Sequence, residues 1–549
     1  MAHPGVGCPA TSPLGCDAPV THTTPMRHPP TPILRAALAL LLASIASVAE
    51  AKVVRLEIAS KQPYGSFAAG AYERWDGRVV GELSPDEAGI PDLDKAGRNA
   101  AGTVAYGARI ILFLPVDPAA GNGALLVDVP NRGKAYAHAL YNSPRALPTP
   151  SGNLDAGTGF LEDRGYRTAE VYWELGQGAD LPSFTDGEGK RRFVEGVGFA
   201  IVRDAADFLA HAAADAAGTP NPLAGRVSRT LATGKSQDGR FLKTFLLHGF
   251  NVAQGRRVFD GMHVFVSGAG LLPILRSGTG PGSSADGAPN FADPEFPGVH
   301  DGPLTIGAIV AAAAARGEVP PKAMLLNSTV DYASLRASLG RTGASGTADL
   351  PLPGNVRMYD VAGASHVTVL KAEACTLPPG RLDWAPVARA TLQRLDGWVA
   401  RNEAPPETRL MPLEPATGEP GVLQAPKALP EAVVQVPRRD ADGNALGGVR
   451  LPDIAVPLGV HGLQNAPLST FTCSLVGAYR PFARTAGGGG PPALAERYRS
   501  QADYVNRVRA AAREAEAQGF LLPEDAAIVV NAAAETPIFD TPAPAAPPR

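Results

Sequence analysis

The residues from Leu231 to Arg240 read Leu-Ala-Thr-Gly-Lys-Ser-Gln-Asp-Gly-Arg, an apolar run, a glycine-flanked serine and then residues able to begin a helix. A strand that turns sharply into a helix at such a serine lifts the hydroxyl to the carboxyl end of a sheet. There the N–H of the next residue, Gln237, and the positive end of the helix can stabilise a developing oxyanion. The chemistry this arrangement serves is acyl transfer through Ser236. The second glycine, Gly239, stands three residues after the serine instead of two. A Ser/Gln/Asp helix cap in an ordinary strand-to-helix loop reads similarly, so the assignment depends on partners elsewhere in the chain.

A serine hydroxyl needs a base to take its proton and an acid to orient that base. In parallel sheets such groups stand on loops beyond the carboxyl ends of late strands. His366 ends the loop Ala362-Gly-Ala-Ser-His366, just after the strand-like Val356 to Val361. Asp331 follows the strand-like Ala323 to Thr329. These are the expected base and acid, although Asp331 also suits a helix cap for Tyr332 onward and His366 a loop histidine bonded to backbone. Glu295 and Asp301 compete for the acid, with Asp360 disfavoured inside a strand. His248, His263 and His300 compete for the base. The second oxyanion donor is expected from Asn131-Arg-Gly-Lys134, at Arg132 or Gly133, and Arg132 can alternatively hold a substrate carboxylate or lie on the surface. Trp173 suits either an acyl pocket or the core.

The elements that must position these groups alternate along the chain. Strands are predicted at Val53–Ile58, Gly77–Leu83, Arg109–Leu114, Ala124–Val129, Thr168–Glu174, Arg229–Thr233, Met262–Val266, Ala323–Leu326 and Val356–Val361. Helices are predicted over Lys190–Ala217, from the elbow through Phe245, and over Thr305–Arg316 and Trp384–Arg401. Alternating strands and helices imply βαβ units and a mostly parallel sheet covered on both faces, an α/β fold spanning residues 52–404. Residues 405 to about 447 are proline-rich and weakly periodic, and helices return over Pro491–Gly519 and after Leu521. Too few apolar strands remain there for a separate core, so residues 405–549 are expected to pack onto the first part as an arm and helical extension. The glycine- and proline-rich segment Leu272–Pro303 is the expected lid.

A net charge of −3 over 549 residues, with 45% hydrophobic and 19% charged residues, describes a globular chain without the basic excess that nucleic-acid binding needs. Arg27 and Arg35 precede an apolar run from Ala36 to Ile45, and Ala49-Glu-Ala51 fits a signal cleavage site. Residues 1–51 therefore read as a signal region, with Met26 as the expected initiator, and the apolar run is too short to span a membrane comfortably. Export would leave Cys375 and Cys473 of the four cysteines, either as one disulfide or as two buried thiols. No dinucleotide fingerprint follows the first strand and no H-E-x-x-H occurs, so neither organic cofactor nor metal is expected.

Taken together, Gly234 to Leu242, Gly249-Phe-Asn251, Phe259-Asp-Gly261, Asn131-Arg-Gly133, Asn355-Val-Arg357 before Gly363 and His366, Pro405-Pro406 after the Trp398 helix, and Glu496-Arg-Tyr498 carry a resemblance. The sequence resembles the secreted bacterial α/β-hydrolase-domain proteins over nearly all of the mature chain. That resemblance implies an α/β-hydrolase fold including the C-terminal region, with Ser236 as nucleophile, His366 as base and Asp331 as acid. In that family the acid position is usually glutamate, and a small residue is usual where Asp238 stands. The elbow spacing also resembles that of glucuronoyl esterases, which points to small-molecule or carbohydrate-linked esters as substrates. The expected activity is hydrolysis of a carboxylic ester through an acyl-enzyme. An acyltransferase, or a non-catalytic binding protein on the same fold, is the alternative.

Overall fold

A computed structural model describes residues 52–143, 157–272, 274, 304–343, 346, 348–425, 430–468, 470–486 and 490–539. The expected signal region, the rivals His300, Glu295 and Asp301, and the expected lid except Leu272 and Ile274 lie outside the described residues.

The central sheet has ten strands: β1 (Val53–Phe67), β2 (Gly70–Leu83), β3 (Val104–Pro115), β4 (Ala124–Asp128), β5 (Arg167–Val171), β6 (Ala179–Asp180), β7 (Arg229–Lys235), β8 (Gly261–Phe265), β9 (Lys322–Ser328) and β10 (Val356–Val361). Their order is β1-β2-β3-β5-β4-β7-β8-β9-β10, with β6 on β3. The first three strands form an antiparallel meander, β3 meets β5 antiparallel, and every pairing from β5 to β10 is parallel.

The short parallel strands are buried on both faces, and their side chains alternate between two cores. Leu125, Val127, Ala232, Met262, Val264, Leu325 and Met358 face one core. Helices α1 (Val197–His211), α2 (Gln237–Leu247) and α3 (Ile306–Ala315) supply Phe199, Phe241, Phe245 and Ile309 to it. Leu126, Leu231, Phe265, Met324, Leu326 and Tyr359 face the other. There they meet Val387, Leu392 and Leu395 of α5 (Ala385–Arg401), α4 (Thr329–Ser334) being the short helix that follows β9. This is the sandwich that alternating elements predict.

Several described residues beyond 405 join the second core, among them Met411, Leu451 and Ile454. Arg409 and Val449 bridge to Tyr359 and Val361 of β10, the edge strand. Past helix α6 (Gln501–Ala517), Phe520 packs its ring 5.1 Å from that of Tyr359, and Ala526 of α7 (Pro523–Glu535) joins the same cluster. Helix α7 runs for 13 residues.

The predicted helix over Lys190–Ala217 is corrected at both ends. Arg191–Phe193 instead pairs antiparallel with Ser183–Thr185. The Asp186 carboxylate accepts the N–H groups of Glu188 and Lys190 at 3.0 and 2.8 Å and fixes the hairpin turn, so Phe193 belongs to a strand despite its helical spacing from Val197. At the other end Asn221 donates from Nδ2 to the carbonyls of Phe208, Leu209 and Ala212 at 2.9, 3.1 and 2.8 Å, which stops the helix at His211.

Candidate active site

Ser236 sits between the last residue of β7 and the first of α2 with φ 62° and ψ −109°. Such a backbone is strained for any residue with a β-carbon, by about 1–3 kcal/mol, and persists only where the surroundings impose it. They do so here. The Ser236 N–H donates to the Phe265 carbonyl at 2.9 Å, and its own carbonyl accepts from Arg240 N–H at 3.0 Å. A β-carbon at position 234 would lie 2.6 Å from the Asp238 carbonyl, and one at 239 only 2.9 Å from the Phe265 carbonyl. The displaced second glycine thus has its own cause, because α2 crosses β8 at residue 239.

His366 brings its Nε2 to 2.9 Å from Ser236 Oγ and its Nδ1 to 2.6 Å from Asp331 Oδ1. Its loop is held from several sides. Gly363 N–H donates to Thr329 Oγ1 at 2.7 Å, Ser365 Oγ to the Val476 carbonyl at 2.7 Å, and Trp384 Nε1–H to the Ser365 carbonyl at 2.8 Å. The Cys375–Cys473 disulfide joins the segment after His366 to the one that supplies Val476. Of the two open readings of these cysteines, the structure has the disulfide.

The placement of Asp331 is compatible with both readings at once. It is the third residue of a capping box: its Oδ2 accepts Ser328 N–H at 2.6 Å, while Ser328 Oγ accepts Asp331 N–H at 3.1 Å. Its other oxygen is left for His366. The sequence cue for the box is Ser328-Thr-Val-Asp331, an S-x-x-D pattern.

These two roles separate by mutation. Asp331→Asn is expected to lower kcat on an aryl ester by roughly 10⁴-fold, because an amide cannot support the required imidazole tautomer and charge. Ser328→Ala removes only the cap and is expected to cost ~1 kcal/mol of stability while the Asp331–His366 contact persists. Urea unfolding and steady-state kinetics on both variants check this; equal losses of kcat would refute the separation.

On the other side of Ser236, Asn131 and Lys134 exchange backbone hydrogen bonds at 2.8 and 2.9 Å around Arg132 and Gly133, whose φ values are 49° and 74°. Two successive positive φ angles make this a type I′ turn. Asn131 Nδ2 donates to the Lys235 carbonyl at 2.8 Å, tying the turn to the end of β7 next to the serine. Gln237 opens α2, where backbone N–H groups lack intrahelical acceptors, and its Nε2 donates to Glu174 at 3.2 Å.

The described rivals are otherwise engaged. His263 is buried between Tyr141 OH at 2.8 Å and Thr391 Oγ1 at 3.0 Å, and burial pushes its imidazole down to about 3. His248 caps the far end of α2. Asp360 accepts from Tyr332 OH at 2.7 Å, Arg341 Nη1 at 2.6 Å and Met411 N–H at 2.9 Å, a buried network that joins β10 to the C-terminal segment. Trp173 belongs to the core, its ring 4.6 Å from that of Phe241.

Asp238 stands out electrostatically. It is fully buried, and among the described residues neither carboxyl oxygen has a hydrogen-bond partner. Burial first, then the neighbouring Glu174 and Asp128, hold its carboxyl well above the usual carboxylate range, against the pull of Arg132 and Arg240. Between the ordinary and the raised value, the folded chain keeps a proton that the unfolded chain has released, so stability falls as pH rises through that window. Asp238→Asn is therefore expected to stabilise the fold, with a gain that grows from pH 5 to pH 9 in thermal melts. A pH-independent effect would contradict a neutral buried acid.

The strand order, the strained serine between β7 and α2, and the histidine and acid after later strands define the α/β-hydrolase fold. The alpha/beta hydrolase domain family model matches residues 159–531, and the chain belongs to that family. Among proteins of curated function, none matches the sequence. The chain is similar to a solved glucuronoyl esterase from Solibacter usitatus, at 14% identity over 58% of this chain and 86% of that one, with a TM-score of 0.30. It is also similar to the rice cell wall degrading esterase LipA from Xanthomonas oryzae, at 12% identity over 40% and 50% of the two chains, with a TM-score of 0.22. No group of His, Cys, Asp or Glu able to hold a metal occurs among the described residues, and no described helix is long and apolar enough to cross a membrane.

Proposed function

We propose that this protein is an exported serine hydrolase that cleaves a carboxylic ester, from a small molecule or linked to a carbohydrate. The observation that carries this reading is the continuous chain of contacts from Ser236 Oγ through His366 to Asp331, at 2.9 and 2.6 Å. Ser236 Oγ attacks the ester carbonyl carbon while His366 Nε2 takes the hydroxyl proton, and Asp331 holds the resulting imidazolium through Nδ1–H. The carbonyl oxygen, now negative, is received by the backbone N–H of Gln237 and that of Arg132 or Gly133. Collapse breaks the bond to the alcohol oxygen, to which His366 returns the proton. Water then attacks the acyl-enzyme, giving up a proton to His366, and the carboxylic acid leaves as Ser236 regains its hydrogen.

Export is supported by the residue pattern of positions 1–51 and by the Cys375–Cys473 disulfide, a bond that persists in oxidising compartments. The test is turnover of a series of p-nitrophenyl esters by the folded protein, with products analysed with and without competing alcohols. Release of p-nitrophenol with the acyl group recovered as free acid is expected. No release above the buffer rate across the series would overturn the reading, and recovery of the acyl group mainly on added alcohol would make the protein an acyltransferase.

A further inference from the structure

Lys235 immediately precedes the serine and ends β7 with 4% of its surface exposed. A lysine so enclosed ordinarily meets a carboxylate. This one meets none: among the described residues its ammonium has neither a salt bridge nor a hydrogen bond, and it lies 5.2 Å from the centroid of the Tyr136 ring. Asp331 is the acid whose field reaches it. Both oxygens of that carboxylate are already taken, by His366 and by the Ser328 N–H.

The position of this cation follows from the elbow itself. Consecutive α-carbons lie about 3.8 Å apart, so Lys235 is rooted one residue from the nucleophile. The Tyr136 ring lies 5.2 Å from the ammonium, and Asp331, the partner of His366, acts on its charge. Asn131 adds a second cation to the same edge: its Nδ2 holds the Lys235 carbonyl, while its Oδ1 accepts from the Arg132 guanidinium at 2.9 Å. An ammonium without a counter-ion in a desolvated site is costly, and an anion brought there by a ligand interacts with it far more strongly than at the surface.

Resting on the serine-esterase reading, we propose that the site selects esters bearing a second, ionised carboxylate a few bonds from the scissile carbonyl, with Lys235 as the residue that binds it. Half-esters of dicarboxylic acids are the simplest members of this class. A neutral ester of the same shape leaves the ammonium unpaired, and discrimination follows from that difference.

The charge on Lys235 also gives the selectivity a pH signature. Burial pushes the ammonium down to about 8, with Asp331 opposing. The titratable groups that act on it or pack against it are Asp331 from α4 and Tyr136 from the loop after β4. Preference for the anionic ester is therefore present at neutral pH and is lost as pH rises through about 8, when the lysine gives up its proton.

The experiment compares kcat/KM for monoethyl glutarate and for its neutral amide analogue, ethyl glutaramate, from pH 6.5 to 9.5, in the wild type, Lys235→Met and Lys235→Arg. In the wild type the anionic ester is expected to be preferred about tenfold or more near pH 7, mainly through KM, with the preference fading above pH 8. Lys235→Met is expected to abolish the preference, and Lys235→Arg to keep it without the fade. The wild-type pH course needs no variant, so a poorly folding Lys235→Met leaves the test intact. A fluorophosphonate that labels Ser236 in a protein with no anionic preference would overturn the role of Lys235 alone. Absence of both labelling and turnover would overturn the esterase reading beneath it.

Discussion

Replacement of Ser236 by alanine is expected to lower kcat on an aryl ester by about 10⁴–10⁶-fold while leaving the fold in place. The size of the effect follows from the proposed role of the oxygen: without Oγ the proposed acyl-enzyme cannot form and only direct attack by water remains. The proposed oxyanion donors at Gln237 and the Arg132–Gly133 turn survive the change, so a residual rate above that of the uncatalysed reaction is expected. Stability should barely move. Alanine keeps the β-carbon, so the strain at φ 62° is the same in both proteins, and the backbone bonds from Ser236 to Phe265 and Arg240 do not involve the side chain. Matching thermal melts together with lost turnover are the expected pair of results.

His366→Ala is expected to produce a loss of similar size, again with the fold retained. The two changes should not add: the double variant should be about as slow as either single one, since a nucleophile and its base, the roles proposed for this pair, act as a unit. A double variant slower by the product of both losses would mean that Ser236 and His366 contribute independently. Some destabilisation separates His366→Ala from the serine change. Asp331 is fully buried and loses its partner at 2.6 Å, keeping only the Ser328 N–H. Leaving a buried group short of a hydrogen bond costs about 1–3 kcal/mol, which urea unfolding would register.

What the sequence revealed, and what it hid, has a physical pattern. Ser236, His366 and Asp331 could be picked out because each follows an apolar run short enough to be a buried parallel strand, and such sheets gather their chemistry at one edge. The same runs made the two-faced sheet legible through the alternation of Leu125 and Leu126, or Val264 and Phe265, between its cores. Phe193 misled because its spacing from Val197 is helical while the Asp186 turn, a local hydrogen-bonding feature, commits it to a hairpin.

The role of Asp360 was decided by Arg341 and Met411, distant in sequence and joined to it only by folding. Lys235 and Asp238 are the sharpest cases. Each reads in the sequence as an ordinary charged residue beside a serine, and only the fold brings Tyr136 to Lys235 and Arg132 near Asp238. Both are buried in the folded chain, and burial shifts the proton affinity of each.

The most direct test of the central claim is labelling of the folded protein with a fluorophosphonate, followed by peptide mass spectrometry. Phosphonylation at Ser236, one equivalent per chain and lost in His366→Ala, is the predicted result. A folded protein that takes up no label, or carries it on a residue other than Ser236, would contradict the account.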